Sequence, residues 1–270
     1  MTRLPFALNH MAAPGLPLDR FFALAKALGI GSVEIRNDLA GNAILDGTPA
    51  AEVKAAAQAQ GLTIISINAL QRFNEWNDIR AAEARDLVAY AHDCGARALV
   101  LVPVNDGSGR ADGERQANLR TALKALQPML AQAGIVGLVE PLGFSVCSLS
   151  SKREAAEAIG ELGFTDTFRL VHDTFHHHLA GEPELFPDLT GLVHISGVSD
   201  AAVTVADMRD PHRVLVDAGD RLDNCGQIRA LRDAGYSGPL SFEPFAPDVH
   251  ALNDPAAALK ASMAFIEAGA

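Results

Sequence analysis

Four side chains that could bind a metal ion each stand at the end of a short apolar run. Asp173 follows the run 168–171 and precedes three consecutive histidines, 176–178. Glu140, His194 and Glu243 end the apolar runs of Gly-Leu-Val-Glu-Pro, Gly-Leu-Val-His-Ile and Pro-Leu-Ser-Phe-Glu-Pro. Each run is typical of a buried strand. Four strands could therefore direct one ligand each at a common point.

Three carboxylates and one imidazole suit a hard or borderline divalent cation. We expect Mn²⁺ or Zn²⁺, with Mg²⁺ and Co²⁺ as alternatives, and the absence of cysteine from the set argues against a structural zinc site. Simpler interpretations exist for each residue. Asp173 could cap a helix, His194 could be a hydrogen-bonded core histidine, and Glu140 and Glu243 could form buried salt bridges. The location of all four at successive strand ends favours the metal.

This ligand set predicts a particular chemistry. A divalent cation between two glutamates can polarise a carbonyl and stabilise the enediolate that forms when an α-proton is removed. One carboxylate can take that proton while a second acid returns it to the neighbouring carbon. Glu140 and Glu243 are the natural acid/base pair. We therefore expect isomerisation or epimerisation of a sugar or polyol ketone.

The elements that would position these residues repeat along the chain. Helical patterns alternate with eight apolar strand candidates, at 6–9, 32–36, 63–68, 98–104, 136–140, 168–172, 192–196 and 239–243. The helical pattern between strands six and seven is weak and is limited to 182–185. The stretch 197–220 has no clear periodicity, and its length is typical of a loop that folds over another part of the molecule.

Nearly continuous apolar strands that alternate with helices indicate a parallel sheet covered by helices. At 270 residues the closed (β/α)₈ TIM barrel is the expected form, as one domain over residues 1–270. Catalytic groups of such barrels lie at the C-terminal ends of the strands. An open, doubly wound sheet is the alternative, but no Gly-x-Gly-x-x-Gly turn follows the first strand.

Composition narrows the choice of partners. A net charge of −11 disfavours nucleic acid and anionic membranes. The widely spaced Cys94, Cys147 and Cys225 form no Cys-x-x-Cys pair and indicate reduced thiols. The N-terminus does not resemble a signal peptide, and no apolar stretch reaches the length of a membrane span. We expect a soluble, cytoplasmic protein that acts on a small polyol or sugar ketone, and a homo-oligomer is left open.

The strand-end residues and their neighbours resemble the xylose-isomerase-like superfamily of sugar isomerases and epimerases, and most closely its inosose isomerase branch (2-keto-myo-inositol isomerase) of inositol catabolism. The resemblance spans nearly the whole chain. It implies that Glu140, Asp173, His194 and Glu243 are metal ligands. It also implies that two further side chains, His176 and Arg213, hold substrate oxygens. The motifs that carry it include Val-Glu-Ile-Arg36, Asn68-Ala-Leu, Asp173-Thr-Phe-His-His-His178, His194-Ile, and Glu243 with Phe245-Ala-Pro247.

Two further residues, Arg36 and Asn68, end strands two and three. They could reach the substrate or form hydrogen bonds within the barrel wall. The chain departs from the resembled pattern at the substrate end, where Ser196 and Gly197 follow His194-Ile in place of acids.

The resulting hypothesis is a metal-dependent inosose isomerase. Inosose dehydratase and ketose 3-epimerase are alternatives that share the enediolate step. A barrel that binds a polyol or a metal without turnover is the alternative of another class. A nucleic-acid repair endonuclease of the superfamily is disfavoured by the acidity of the chain and by too few histidines for a three-zinc site.

Overall fold

Eight parallel strands form a closed barrel in the computed structural model, which describes residues 3–270. Each strand pairs with its neighbour in sequence, and the eighth pairs with the first. This confirms the predicted single (β/α)₈ barrel over the open sheet. The strands are β1 (Phe6–Asn9), β2 (Ser32–Arg36), β3 (Thr63–Gln71), β4 (Ala98–Val102), β5 (Val136–Val139), β6 (Phe168–Asp173), β7 (Thr190–Ile195) and β8 (Leu240–Phe242).

Helices surround the barrel, because each β-strand is followed by a segment that returns the chain to the start of the next strand. The large apolar core lies between the strands and this helical layer. No helix within residues 3–270 is long and apolar enough to cross a membrane. The helices are α1 (Leu18–Ala27), α2 (Ala50–Ala59), α3 (Asp78–Cys94), α4 (Glu114–Ala133), α5 (Lys152–Leu162), α6 (Thr174–Ala180), α7 (Asn224–Asp233), α8 (Pro247–His250) and α9 (Pro255–Gly269).

The inside of the barrel is divided into an apolar part and a polar part. Residues two apart on a strand share a face, so Leu138, Val171 and Leu192 point to the same side as Glu140, Asp173 and His194. These apolar residues belong to a separate buried cluster. The three polar residues follow them toward the C-terminal ends of the strands, and they are buried as well. The barrel therefore presents polar groups at its C-terminal end above an apolar plug.

The helix after β6 lies elsewhere than the sequence pattern predicts. Residues 182–185 are not helical, and α6 instead contains the three histidines. Asp173 caps this helix, since its carboxylate accepts hydrogen bonds from the backbone N–H groups of Phe175 and His176 at 2.8 and 3.0 Å. Gly181, in a left-handed conformation with φ 64°, ends it. The cap therefore fixes the position of His176 relative to Asp173.

The long segment after β7 folds back over the barrel. Gly197 and Val214 pair in an antiparallel bridge, and two short 3₁₀ turns, Val205–Asp207 and Asp210–His212, lie between them. The carbonyl of Arg213 accepts hydrogen bonds from the backbone N–H groups of Phe245 and Ala246. These contacts hold Arg213 at the end of the barrel where β7 and β8 terminate.

Candidate functional site

The four predicted ligands meet at the C-terminal end of the barrel. Each of Glu140, Asp173, His194 and Glu243 offers one ligand atom, and these atoms lie within 4.8 Å of one another. The register of β6 and β7 places Asp173 beside His194. Nδ1 of His194 faces the carboxylates, at 2.9 Å from Oε1 of Glu140, 3.2 Å from Oε2 of Glu243 and 3.9 Å from Oδ2 of Asp173. One imidazole nitrogen and three carboxylate oxygens thus surround a common point.

Two buried arginines contact this carboxylate cluster. Nη2 of Arg213 lies 2.6 Å from Oδ2 of Asp173 and 3.0 Å from Oε2 of Glu243. Nη1 of Arg36 lies 2.7 Å from the other oxygen of Glu243. Both guanidinium groups also lie over the ring of Phe245, at 4.6 and 5.5 Å from its centroid. Glu243 is therefore held from two sides.

A further polar residue of the site, Glu34, was missed by the sequence reasoning. Its Oε2 lies 3.2 Å from Nε2 of His194, the ring nitrogen that faces away from the cluster. Glu34 is fully buried. A signal for it exists in the sequence, because Glu34 is a charged residue in an apolar strand and shares a face with Arg36 two positions later.

The charges of the buried groups fit one divalent cation. When ionised, the carboxylates of Glu34, Glu140, Asp173 and Glu243 carry four negative charges, and the two buried guanidinium groups balance half of them. A divalent cation would balance the rest. Carboxylate oxygen and imidazole nitrogen are also suitable donors for Zn²⁺ or Mn²⁺. The cluster could therefore hold a metal ion.

The two glutamates of the predicted acid/base pair differ in proton affinity. Burial raises the pKa of Glu140 to about 7, and the nearby charges of Glu243 and Asp173 act in the same direction against the attraction of His194. Burial also acts to raise the pKa of Glu243, but His194, Arg213 and Arg36 outweigh it and hold that pKa well below the usual range. Such a divergence between two neighbouring carboxyl groups is typical of acid/base pairs.

The same electrostatics act on the imidazole. Burial acts to lower the pKa of His194, but the negative charges of Glu243, Glu34 and Glu140 outweigh burial and raise the pKa well above its ordinary value. In the absence of a cation, His194 therefore binds a proton strongly. A metal ion that takes the place between the carboxylates must displace the proton on Nδ1.

A cavity of about 340 Å³ opens directly onto the cluster. It is lined by Glu140 and Glu243 and by all four residues predicted to bind substrate, His176, Arg213, Asn68 and Arg36. Its volume lies within the range of small-molecule sites. The structure thus brings the four predicted substrate-binding residues together with two of the predicted metal ligands, Glu140 and Glu243, in one pocket.

The four predicted substrate residues differ in the contacts they already make. Arg36 pairs with Glu243 and Asp38, and Nδ2 of Asn68 donates to Glu34 at 2.7 Å. Nδ1 of His176 is buried and has no hydrogen-bond partner within residues 3–270. His176 therefore has an unsatisfied group beside the cavity, whereas Arg36 and Asn68 are held by protein partners.

Several solved structures are similar to this one. A xylose isomerase domain-containing protein from Salmonella typhimurium LT2 is 33% identical, with a TM-score of 0.88 over 100% of this chain and 97% of that chain. The IolI protein, solved with a bound zinc atom, has a TM-score of 0.88 at 19% identity over 99% of each chain. D-allulose 3-epimerase from Methylomonas sp., in complex with D-allulose, has a TM-score of 0.77 at 19% identity over 100% of this chain and 98% of that chain. At 19% identity, the last two structures show that those proteins share the fold of this chain.

No curated protein sequence matches the chain. Residues 22–269 match the sequence model of the family described as Xylose isomerase-like TIM barrel. The match covers the strands from β2 to β8 and every residue of the ligand cluster. By this match and by its likeness to the Salmonella protein, the chain belongs to the xylose isomerase-like TIM barrel family.

Proposed function

We propose that the chain is a divalent-metal-dependent isomerase of a polyol ketone, with 2-keto-myo-inositol as the first substrate to test. The observation that carries this proposal is the meeting of four ligand atoms within 4.8 Å at a cavity of about 340 Å³. Two proteins of the same fold support the class of ligand, since IolI binds zinc and the epimerase binds D-allulose.

The proposed metal ligands are Glu140, Asp173, His194 and Glu243. A divalent cation bound there would supply a Lewis acid that polarises the ketone and stabilises the negative charge of an enediolate. We expect Mn²⁺ or Zn²⁺ in this role, with Mg²⁺ and Co²⁺ as alternatives. The absence of a thiolate from the donor set is consistent with all four.

The residues that line the cavity would orient the substrate and move its proton. The unsatisfied Nδ1 of His176 and the guanidinium of Arg213 would bind substrate oxygens. Arg36 and Asn68 would shape the cavity from β2 and β3. Of Glu140 and Glu243, one would abstract the α-proton and the other would return a proton to the adjacent carbon.

A substrate test in deuterated water distinguishes the proposed reaction from its rivals. The protein is incubated with Mn²⁺ and 2-keto-myo-inositol, and products are followed by NMR and mass spectrometry. An isomerase gives a new ketone with deuterium at the exchanged carbon, whereas inosose dehydratase gives a product that has lost water. Glu140→Gln serves as the control and should abolish exchange. Failure to exchange an α-proton of any polyol ketone with any of the four metals would contradict the proposal and favour a barrel that binds without turnover.

Ketose 3-epimerase is the second candidate, because a protein of the same fold binds D-allulose. Incubation with D-allulose in deuterated water would produce its C3 epimer with deuterium at C3. Such turnover in the absence of any reaction with 2-keto-myo-inositol would favour the epimerase.

We further propose that residues 1–270 act as one domain in the cytoplasm, on a small molecule and without nucleic acid or membrane partners. The unpaired state of Cys94, Cys147 and Cys225 supports a reducing compartment, and the net charge of −11 supports a neutral or cation-bound ligand. Sedimentation analysis of the full chain would test for a homo-oligomer and establish the number of subunits.

A further inference from the structure

We propose that Glu34 is a positioning residue that selects Nδ1 of His194 as the metal-binding atom by holding the proton of the ring on Nε2. The inference rests on the proposed metal site and adds a residue that binds neither metal nor substrate. Its starting point is the contact of 3.2 Å between Oε2 of Glu34 and Nε2 of His194. Both side chains are fully buried, so water cannot take the place of either partner.

The carboxylate of Glu34 is held in one orientation by hydrogen bonds from other strands. Oε2 accepts from Ser66 Oγ at 2.5 Å and from Asn68 Nδ2 at 2.7 Å. Oε1 accepts from the hydroxyl of Ser241. Three donors therefore engage the carboxylate, which has about four acceptor positions in total, and Nε2 of His194 lies against the same Oε2. Glu34 therefore acts as a hydrogen-bond acceptor, and its orientation relative to the imidazole is fixed.

The strand register brings these groups together. Glu34 lies beside Ser66 in the pairing of β2 with β3, and His194 lies beside Ser241 in the pairing of β7 with β8. β2 and β7 are not neighbours, so the contact between Glu34 and His194 crosses the barrel interior. All the partners are therefore attached to the rigid sheet rather than to a loop.

The opposite side of the imidazole explains why such a partner is needed. A neutral imidazole carries one proton, and a metal can bind only the nitrogen that lacks it. Three carboxylates surround Nδ1 of His194, and they would hold the proton there unless Nε2 faced a carboxylate of its own. Glu34 provides that carboxylate. A histidine ligand whose other nitrogen donates to a carboxylate is also fixed in ring orientation and is a better donor to the metal.

Each other polar neighbour of the cluster has a different task. Arg36 and Asn9 contact Glu243, and Arg213 contacts Asp173 and Glu243. Of the residues that the structure describes, Glu34 is the carboxylate on the Nε2 side of His194. Loss of Glu34 should therefore act on the histidine ligand and leave Asp173 and Glu243 with their own partners.

Metal binding by the full chain, freed of metal with a chelator, tests the inference without any assay of turnover. Isothermal titration calorimetry with Mn²⁺ gives the affinity, and the visible absorption spectrum of bound Co²⁺ reports the geometry and the nitrogen ligand. The variants are Glu34→Gln, Ser66→Ala and Glu154→Gln. Glu154 provides the matched control, because it is a largely buried carboxylate that pairs with Arg115 in the outer helical layer.

We expect Glu34→Gln to bind Mn²⁺ about 10- to 100-fold more weakly than the wild type and to give an altered Co²⁺ spectrum. Ser66→Ala, which keeps the carboxylate but removes one of its donors, should show a smaller loss in the same direction. Glu154→Gln should match the wild type. A role limited to folding would lower the melting temperature without changing the Co²⁺ spectrum.

Wild-type affinity and an unchanged Co²⁺ spectrum in folded Glu34→Gln would overturn the inference. If Glu34→Gln does not fold, the test rests on Ser66→Ala. The inference would then be overturned if Ser66→Ala and Glu154→Gln had the same Mn²⁺ affinity and the same Co²⁺ spectrum. If the wild-type chain itself binds neither Mn²⁺ nor Co²⁺, the proposed metal site is wrong and the inference falls with it. The wild-type titration thus separates the two failures.

Discussion

Replacing Arg213 with methionine removes one of the two buried guanidinium groups that contact the carboxylate cluster. Arg213 is 2% exposed, and its guanidinium donates to Asp173 at 2.6 Å and to Glu243 at 3.0 Å. Methionine keeps an apolar stem of similar length beside Phe175 and Phe245, so the substitution tests charge more than volume. Glu243 retains Arg36. The loss of positive charge should therefore affect mainly Asp173, whose remaining hydrogen-bond donors within residues 3–270 are the two backbone N–H groups at the start of α6.

The expected cost is large because the remaining carboxylates stay buried. Removing one partner of a buried ion pair costs about 3–5 kcal/mol. For a domain of this size, 1 kcal/mol corresponds to a shift of about 2–4 °C in melting temperature. In the presence of a chelator, Arg213→Met should therefore melt about 6–20 °C below the wild type. The matched control is Arg120→Met, which breaks a partly exposed pair with Glu161 and should cost less than about 1 kcal/mol.

Addition of Mn²⁺ provides the second half of the test. A cation bound at the same oxygens supplies positive charge, so Mn²⁺ should stabilise Arg213→Met at least as much as the wild type. At 100 times the dissociation constant, that stabilisation is about 2.7 kcal/mol. The assay is thermal unfolding followed by circular dichroism, with and without Mn²⁺. The reasoning is refuted if Arg213→Met in chelator costs no more than Arg120→Met, or if Mn²⁺ leaves its melting temperature unchanged.

Three further predictions concern proton transfer, metal binding and packing. Glu140→Gln and Glu243→Gln should each lower the rate of α-proton exchange by at least about 10²-fold, because each removes a general acid or base. Deuterium incorporation measures this rate. Near-wild-type exchange by either variant would show that the replaced residue does not take part in the proton transfer. Since the pKa of Glu140 is raised to about 7 and that of His194 well above its ordinary value, the metal-free chain holds protons that a cation must displace. The Mn²⁺ affinity should accordingly rise as the pH increases from about 6 to 8. Calorimetry in buffers of different ionisation enthalpy should show that Mn²⁺ binding releases protons. An affinity independent of pH would contradict this expected competition between Mn²⁺ and protons. Gly143→Ala should lower the free energy of unfolding by about 1–3 kcal/mol and weaken substrate binding. The added Cβ would lie 2.2 Å from the carbonyl oxygen of His176 and would displace α6. An unchanged stability and an unchanged Michaelis constant would contradict this prediction.

The strand-end residues could be predicted because their pattern is local. Each predicted ligand follows an apolar run, and a barrel brings the C-terminal ends of its strands to one mouth. The approximate place of Glu140, Asp173, His194 and Glu243 follows from these two facts. The distances between these four side chains could not be predicted, because they depend on strand register and on side-chain rotamers, which no local sequence pattern contains.

Glu34 was missed for the opposite reason. It lies in the middle of β2 and not at its end, and its partner His194 is 160 residues away in sequence. The contact exists only because the closed barrel brings β2 and β7 across one interior. The pair of charged residues Glu34 and Arg36 on one face of an apolar strand is the local sign that could have indicated an inward-facing polar group.

The position of α6 also could not be read from periodicity. It has only seven residues, and histidine has modest helix propensity, so the apolar pattern there is too short to identify a helix. The signals that determine it are its ends, Asp173 as the N-terminal cap and Gly181 as the C-terminal stop. The contacts of Arg213 were likewise beyond local reasoning, since it lies in the aperiodic stretch between β7 and α7.

The position of a bound metal would show whether the four strand-end residues form one metal site. Crystals of the full chain soaked with Zn²⁺ can be measured at the zinc absorption edge, where an anomalous difference map locates the ion without reference to the protein. We predict one strong peak about 2.0–2.2 Å from a carboxylate oxygen of each of Glu140, Asp173 and Glu243 and from Nδ1 of His194. A map with no peak among these four groups, or with zinc bound only at other histidines, would contradict the account.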